Sequence, residues 1–503
     1  MSKRDNPVVL VLALLVTVGI IGGGFWMWKI ITSGSNQLKI LGDTFSGYST
    51  FRSPEFQEVV KEVGLSLTYQ DEFDQAQRAQ LLNQGKADLL VTTLDQFLKQ
   101  QPQGKIIGLI DRTVGADAVV LNTKKYPSLK SLLDLDKLVQ QKQSQGENLN
   151  IAYAGDTPSE YLALLLSTRF ETFKLSDFEV KEVADASEAW QLLQDSNENV
   201  AIAVVWEPFV TQARQQGYTV VLSSKDAPKA IVDVIVASDR LIQSKSSKIG
   251  ELLEAYYRRI DANVSDPSQL QKQIAEDGNL STKDAGTVLK GIDFFGAVEA
   301  QDWMTDGTLE TRIGSTAAVL VLAEEMNQVP PNPQELFSSQ FITKAASNTE
   351  TLIGLVRPDN PKLADRLAGD EEEPNIPSSD PKVKKASDIG NLQVRGEVKF
   401  DSGSAGLTNE GKQTLVNLAQ EIQEFNTQTV GVRVIGHTSK TGDPGFNQQL
   451  SQQRAQIVVN DLRNRGLQHN FVPEGKGFSE PIAGMSPEDP RQQRTEIRLV
   501  RIN

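Results

Sequence analysis

Phe73-Asp-Gln-Ala-Gln-Arg-Ala-Gln-Leu-Leu-Asn-Gln84, followed after Gly85-Lys-Ala87 by Asp88-Leu-Leu-Val-Thr92, decides the fold of most of this chain. The first run reads as a helix. The second is a short apolar run of the kind that forms a strand buried on both faces. Outward from this unit the same alternation continues. Ala118–Leu121, Leu149–Tyr153, Val200–Val205 and Ile231–Val236 read as further buried strands, and Ser187–Leu193 as a further helix. Strands alternating with helices predict α/β layers with largely parallel sheets. The region from 37 to 347 is longer than one sheet usually carries, so two lobes are expected.

The chain has 503 residues, 51 Lys+Arg and 65 Asp+Glu, and a formal net charge of −14. That balance argues against a nucleic-acid binder, because phosphate contact needs a basic surface. With no cysteine, structural disulfides, iron–sulfur clusters and cysteine nucleophiles are excluded. The two histidines, His437 and His469, are too few for a histidine-rich metal site. Gly42–Gly47 lacks the Gly-Lys-Ser/Thr of a phosphate-binding loop, and the dispersed acids form no recognisable catalytic pair. No cofactor, metal or enzymatic activity is expected.

Residues 1–6 carry Lys3 and Arg4 ahead of an almost unbroken apolar run, Pro7–Ile31, that ends in Trp26-Met-Trp28. At about 1.5 Å per residue a helix over 7–31 passes the ~30 Å hydrocarbon core. The basic residues leave the N-terminus cytoplasmic, and no Ala-x-Ala cleavage site follows. The expectation is an uncleaved inner-membrane anchor with the bulk of the chain in a bacterial periplasm.

Composition shifts after Ser347. Pro358, Pro361, Pro374, Pro377 and Pro381 punctuate a stretch containing Asp370-Glu-Glu-Glu373 and Lys382-Val-Lys-Lys385, so 348–389 is expected to be a flexible linker, with a local helix at 362–367 as an alternative. Residues 390–503 form a third unit. Val394–Phe400 has strand character, and Thr408 caps a helix carrying Leu415, Leu418, Ile422 and Phe425 on one face. A strand over 430–435, a helix over 451–463 burying Ala455, Val459 and Leu462, and a strand over 495–500 complete the order β-α-β-α-β.

Several pieces of 37–347 resemble the periplasmic solute-binding proteins of nitrate, sulfonate and taurine transporters. They are Ser46-Gly-Tyr-Ser-Thr50, Leu81–Asp88, Gly115-Ala-Asp-Ala118, Asp156-Thr-Pro-Ser159, Trp206-Glu-Pro208, Ser224–Pro228 and Ile231–Val234. The resemblance implies a ligand cleft between two lobes, an ABC permease as partner, and a small, anionic solute. The candidate ligand contacts are Ser46, Tyr48, Thr93, Asp117, Thr157, Ser159 and Trp206. Thr157 and Ser159 around Pro158 suit a helix first turn, where free N–H groups favour an anion, although such residues are more often plain caps. Asp117, Glu207 and Asp233 are acidic, and Arg112 and Lys225 are the basic residues near the expected cleft, which leaves the solute's identity open.

The last unit resembles the peptidoglycan-binding module of outer-membrane protein A on Phe400–Thr408, Gly436-His-Thr438, Asn447–Ala455, Gly475-Lys-Gly477 and Gln493-Arg-Thr-Glu-Ile497. The resemblance implies a peptidoglycan contact through Thr438, Ser439, Asn447, Leu450, Arg454 and Arg494. Arg454 matches the arginine that grips the diaminopimelate end of the stem peptide. Ser439 stands where the module has an aspartate, and Gln492-Gln493 where it has an asparagine–arginine pair. Asp443 substitutes for the missing acid only if its loop folds inwards. The resulting expectation is α/β throughout: a transmembrane helix, a two-lobed periplasmic-binding-protein fold, then a small OmpA-like sandwich. It describes a membrane-anchored solute-binding protein tethered to the wall, the rival being an envelope scaffold or sensor built on a binding-protein fold that has lost its ligand.

Overall fold

The computed structural model describes residues 36–369 and 381–502. The expected anchor over 7–31 lies outside them, and among the described residues no helix is long and apolar enough to cross a membrane. The first sheet opens with β1 (Gln37–Gly42), β2 (Ser66–Asp71), β3 (Leu89–Thr93) and β4 (Gly104–Thr113). The chain then crosses at 114–116 into a second sheet of β5 (Asp117–Leu121), β6 (Leu149–Ala154), β7 (Phe178–Val183), β8 (Val200–Trp206) and β9 (Thr219–Ser223). A second crossing, 224–231, returns it to the first sheet as β10 (Val232–Ser238), with β11 (Ile292–Phe294) on the edge. The sheet orders are β11-β4-β10-β3-β1-β2 and β7-β6-β8-β5-β9.

The two expected lobes are therefore present, joined by two crossings, but neither sheet is largely parallel. β1 runs parallel to β2 and β3, and β6 to β7 and β8. The strands next to the crossings, β4, β5 and β10, pair antiparallel with their neighbours. A strand that enters its sheet from the other lobe arrives at the opposite end from one that follows a local helix, which reverses its direction.

Residues 348–369 correct the expected linker. Helix Thr343–Val356 is followed by helix Pro361–Ala368, whose Ala364 and Leu367 are buried against the helices of the first lobe. Asn360 caps it by accepting from Leu363 N at 3.2 Å, with Pro361 at the first helical position, and Gly369 ends it at φ 76°. Those start and stop signals outweigh the proline count.

The C-terminal sheet has the order β12-β15-β13-β14, from β12 (Ser387–Leu392), β13 (Val430–Gly436), β14 (Asn470–Gly475) and β15 (Thr495–Arg501). Its first strand is not the expected 394–400. Ser387–Leu392 takes the edge beside β15, so the later segment turns back on itself, its Lys399 carbonyl accepting from Thr408 N at 3.1 Å. The strand over 470–475 is an addition to the expected order. Helices Asn409–Ile422 and Pro444–Asn464 cover the sheet, and Thr408 Oγ1 caps the first by accepting from Gly411 N. Leu415, Leu418, Ile422, Phe425, Ala455, Val459 and Leu462 are all buried as their spacing requires.

Candidate functional site

Two groups of side chains have the chemistry of a site. The first lies where the strands meet the crossings. From the first lobe come Tyr48, in the turn after β1, Thr93 at the end of β3, Asp111 near the end of β4 and Asp233 at the start of β10. All four are buried. Tyr48 OH donates to Asp233 Oδ1, so it is committed inside its own lobe. Asp111 and Asp233 sit on neighbouring antiparallel strands, and burial holds both carboxyls well above the usual carboxylate range, with added repulsion from Asp293 on Asp111 and from Asp111 on Asp233. Asp95, in the first turn of helix Leu94–Gln100, is raised by the same burial.

The second lobe presents Asp117, which opens β5 directly opposite Trp206 at the end of β8. Burial, with added repulsion from Glu207 and Asp95, pushes the Asp117 carboxyl up to about 7. Ser224 Oγ accepts from Gly115 N at 2.8 Å and from Asp117 N at 3.3 Å, which ties the two crossings together. Thr157 is a helix cap: its Oγ1 donates to Ala154 O at 2.7 Å and accepts from Ser159 N at 3.2 Å. Ser159 is fully buried, and among the described residues its hydroxyl has no hydrogen-bond partner. Ser46 and Trp206 are half-buried, and Trp206 packs on the second lobe's own apolar cluster.

The carboxyls buried here are Asp95, Asp111, Asp117 and Asp233. Arg112, the strongest anion-binding candidate, pairs with Asp293 and with Glu299 at 2.7 Å, and its guanidinium lies 4.7 Å from the centre of the Phe295 ring. Lys225 is exposed. Across the lobes, Lys99 reaches Asp156 at 3.0 Å, Glu160 at 3.5 Å and Glu325 at 2.9 Å. Asp95, Asp111 and Lys99 were absent from the candidates of the sequence reading. The first two carry a legible signal, a carboxylate in or beside an otherwise apolar run, as in Ile106-Ile-Gly-Leu-Ile-Asp111. The Lys99 contacts need residues far apart in the chain and had none.

The second group is in the C-terminal domain. Arg454, on helix Pro444–Asn464, donates from Nε to Ser404 O at 2.9 Å and from Nη1 to Gln493 Oε1 at 3.3 Å, and lies 4.9 Å from the Phe400 ring centre. Burial holds its guanidinium below the usual arginine value, and among the described residues no carboxylate is in ion-pair range of it. Ser439 is buried, with Oγ 3.1 Å from Thr441 Oγ1 and 3.4 Å from Gln493 Nε2. Gln493 thus bridges Arg454 to Ser439. Thr438 is buried with an unpartnered hydroxyl.

The other three candidates hold the frame. Asn447 Nδ2 donates to the carbonyls of Thr441 at 2.7 Å and Asp443 at 3.1 Å, Leu450 is buried, and Arg494 is paired with Glu496 at 2.7 Å. Asp443 does not fold inwards. It caps the helix, accepting from Phe446 N at 2.7 Å. Burial raises the Glu496 carboxyl, but His437, Arg494 and hydrogen bonding outweigh it and bring it down to about 2.

Residues 399–495 match the OmpA family. Over 146 residues the chain is 30% identical to outer membrane protein A of Shimwellia blattae, covering 28% of this chain and 60% of that protein. It is 33% identical over 118 residues to the probable lipoprotein YiaD of Escherichia coli strain K12, covering 23% of this chain and 53% of the relative. The chain thus spans between half and two thirds of the length of these relatives.

The middle region overlays the periplasmic aliphatic sulphonate binding protein SsuA of Escherichia coli at 14% identity and a TM-score of 0.47, covering 61% of this chain and 99% of that one. A sulfonate-binding protein of Methylobacillus flagellatus overlays at 12% identity and a TM-score of 0.48, covering 62% and 94%. The strand orders and the two crossings, rather than these overlays, define the two-lobed fold.

Proposed function

We propose that this chain is a cell-envelope binding protein whose two lobes close on a small solute and whose C-terminal domain holds it to peptidoglycan. In this reading the segment 7–31 anchors it in the inner membrane beside an ABC permease, and the protein binds rather than catalyses. The observation that carries the wall contact is the Arg454 guanidinium. It is buried, steered by Ser404, Phe400 and Gln493, and has no carboxylate partner among the described residues, which is what a stem-peptide carboxylate would complete.

For the solute, the acidic residues gathered where the strands meet the crossings support a ligand that brings hydrogen-bond donors or positive charge in place of the expected anion. Arg112, the nearest guanidinium, is already neutralised by Asp293 and Glu299, and the buried carboxyls of Asp111, Asp117 and Asp233, held above the usual range, would ionise only beside a positive charge. Thermal-shift measurements on the detergent-solubilised full chain, with ammonium compounds in one panel and sulfonates, nitrate and phosphate in the other, test this. A ligand at 100 times its Kd adds about 2.7 kcal/mol. Stabilisation by the anion panel alone refutes the assigned charge. The second reading is a scaffold whose lobes no longer admit a solute, favoured by the Lys99 bridges that already tie the lobes together. Absence of any shift with both panels favours it.

A further inference from the structure

The C-terminal domain does not merely follow the two lobes in the chain; it is docked on the second lobe, on the 224–231 crossing and on helix Thr308–Leu322. Three contacts define the docking. At the second lobe, Leu392 and Phe170 form an antiparallel bridge, with Glu171 N donating to Asn391 O at 3.0 Å and Gln393 N to Arg169 O at 2.8 Å. Phe170 also meets Phe425 edge-on at 6.2 Å, and Gly390 lies so close that a Cβ there would collide with Phe170 and press on Leu132. At the second crossing, Asn426 donates from its backbone N to Asp226 O at 2.9 Å and from Nδ2 to Lys225 O at 3.1 Å. Arg501 donates to Val220 O and lies 3.3 Å from the Asp226 carboxylate, which also accepts from Ser223 N at 2.8 Å. At helix Thr308–Leu322, the buried Arg312 pairs with Glu424 at 2.6 Å, and that helix packs on Leu94–Gln100 of the first lobe and Pro158–Arg169 of the second.

Lobe motion in a fold of this type turns on a few residues in the crossings that absorb the change in backbone angles. Here the carbonyls of two of those residues, Lys225 and Asp226, are held by another domain. The preceding residue, Ser224, carries the constraint to Gly115 in the first crossing and to Asp117 at the start of β5. Rotation about the crossings would break contacts with Asn426 or Arg501, or move Arg312 away from Glu424. The wall-facing residues, at the Gly436 end of β13, are at the far end of that strand from Val430, which follows Asn426. Wall contact and docking therefore use different ends of the domain.

We infer that the C-terminal domain is a clamp on the hinge of the binding lobes, so that its docking and the opening of the lobes are coupled. The inference rests on the two-lobed reading and on nothing about the solute. By linkage, whatever loosens the docking eases lobe movement, and whatever moves the lobes loosens the docking.

The chain contains no cysteine, so spin-label pairs can be placed without background. One pair, Glu58→Cys with Glu188→Cys, reports the distance between lobes. A second, Glu188→Cys with Gln456→Cys, reports docking. All three positions are exposed. In the full chain in detergent, Arg501→Ala with Arg312→Glu is expected to lengthen and broaden both distributions. Adding Glu424→Arg, which restores the ion pair with its signs exchanged, is expected to narrow them again. Undocking with an unchanged lobe distance overturns the clamp and leaves solute binding untouched. Failure of the double variant to undock overturns it too, because these contacts then do not hold the domain.

Discussion

Replacing Ser439 by aspartate is expected to strengthen the hold on peptidoglycan. In the structure a neutral hydroxyl, 3.4 Å from Gln493 Nε2, stands where the resembling modules carry a carboxylate, and Gln493 in turn receives a bond from Arg454 at 3.3 Å. A stem-peptide terminus offers both a carboxylate and an ammonium. In the proposed wall contact Arg454 would meet the first, and Ser439 would offer only a hydroxyl to the second. Hydrogen bonds to charged groups contribute about 1.5–3 kcal/mol. The gain from Ser439→Asp is thus about ten- to a hundred-fold in Kd. Arg454→Ala should lose a comparable factor, since it leaves the carboxylate without its cation. The assay is co-sedimentation of the full chain with purified sacculi across a salt series, where the Arg454 contribution should weaken as salt screens it. Retention of wild type that is indifferent to Arg454→Ala would refute the argument, and the domain would then grip the wall by other residues. No gain from Ser439→Asp would show that this position does not face the ammonium.

Three further outcomes follow from the buried groups. His469, packed with Nε2 2.9 Å from Phe425 O, is lowered by burial from 6.5 to about 4, so the unfolded state binds the extra proton in that window. Its contribution, about 3 kcal/mol on the scale of 1.36 kcal/mol per unit, is present above pH 6.5 and lost as pH falls towards 4. The difference between wild type and His469→Gln in urea midpoint, followed by proteolysis of a C-terminal epitope, should show this slope, and parallel curves would contradict it. Asp117 acts with the opposite sign: raised from 3.8 to about 7, it makes the lobes less stable as pH rises through that interval, and Asp117→Asn should flatten the tryptophan-monitored unfolding profile there. Tyr48→Phe removes the donor to the Asp233 carboxyl and should cost the first lobe about 1–3 kcal/mol. A loss below that range would mean that the pair with Asp111 satisfies Asp233 without the tyrosine.

Much of the architecture was legible from the residues themselves because it depends on short-range patterns. The buried strands at Leu89–Thr93, Val200–Trp206 and Val232–Ser238 announce themselves as apolar runs, and Thr157 and Thr408 cap the helices they precede. The C-terminal motif placed Arg454 and Ser439 in one site 15 residues apart, since turn and helix recur at fixed spacing. Even the ordered helix at Pro361–Ala368 had its signals in Asn360-Pro361 and Gly369, which the surrounding prolines and acids obscured.

Only the tertiary structure decided what those residues do once folded. Strand direction beside the crossings depends on which lobe a strand arrives from. The edge position given to Ser387–Leu392 depends on β15, more than a hundred residues later. Arg112 looked free to meet an anion until Asp293 and Glu299 were seen to hold it, and Tyr48 until Asp233 did. Local pattern reports which faces must be buried, because burial follows periodicity along the chain. The partner of a charge or hydroxyl is set by folding across hundreds of residues, and the clamp of Asn426 and Arg501 on the Lys225–Asp226 hinge exists only at that level.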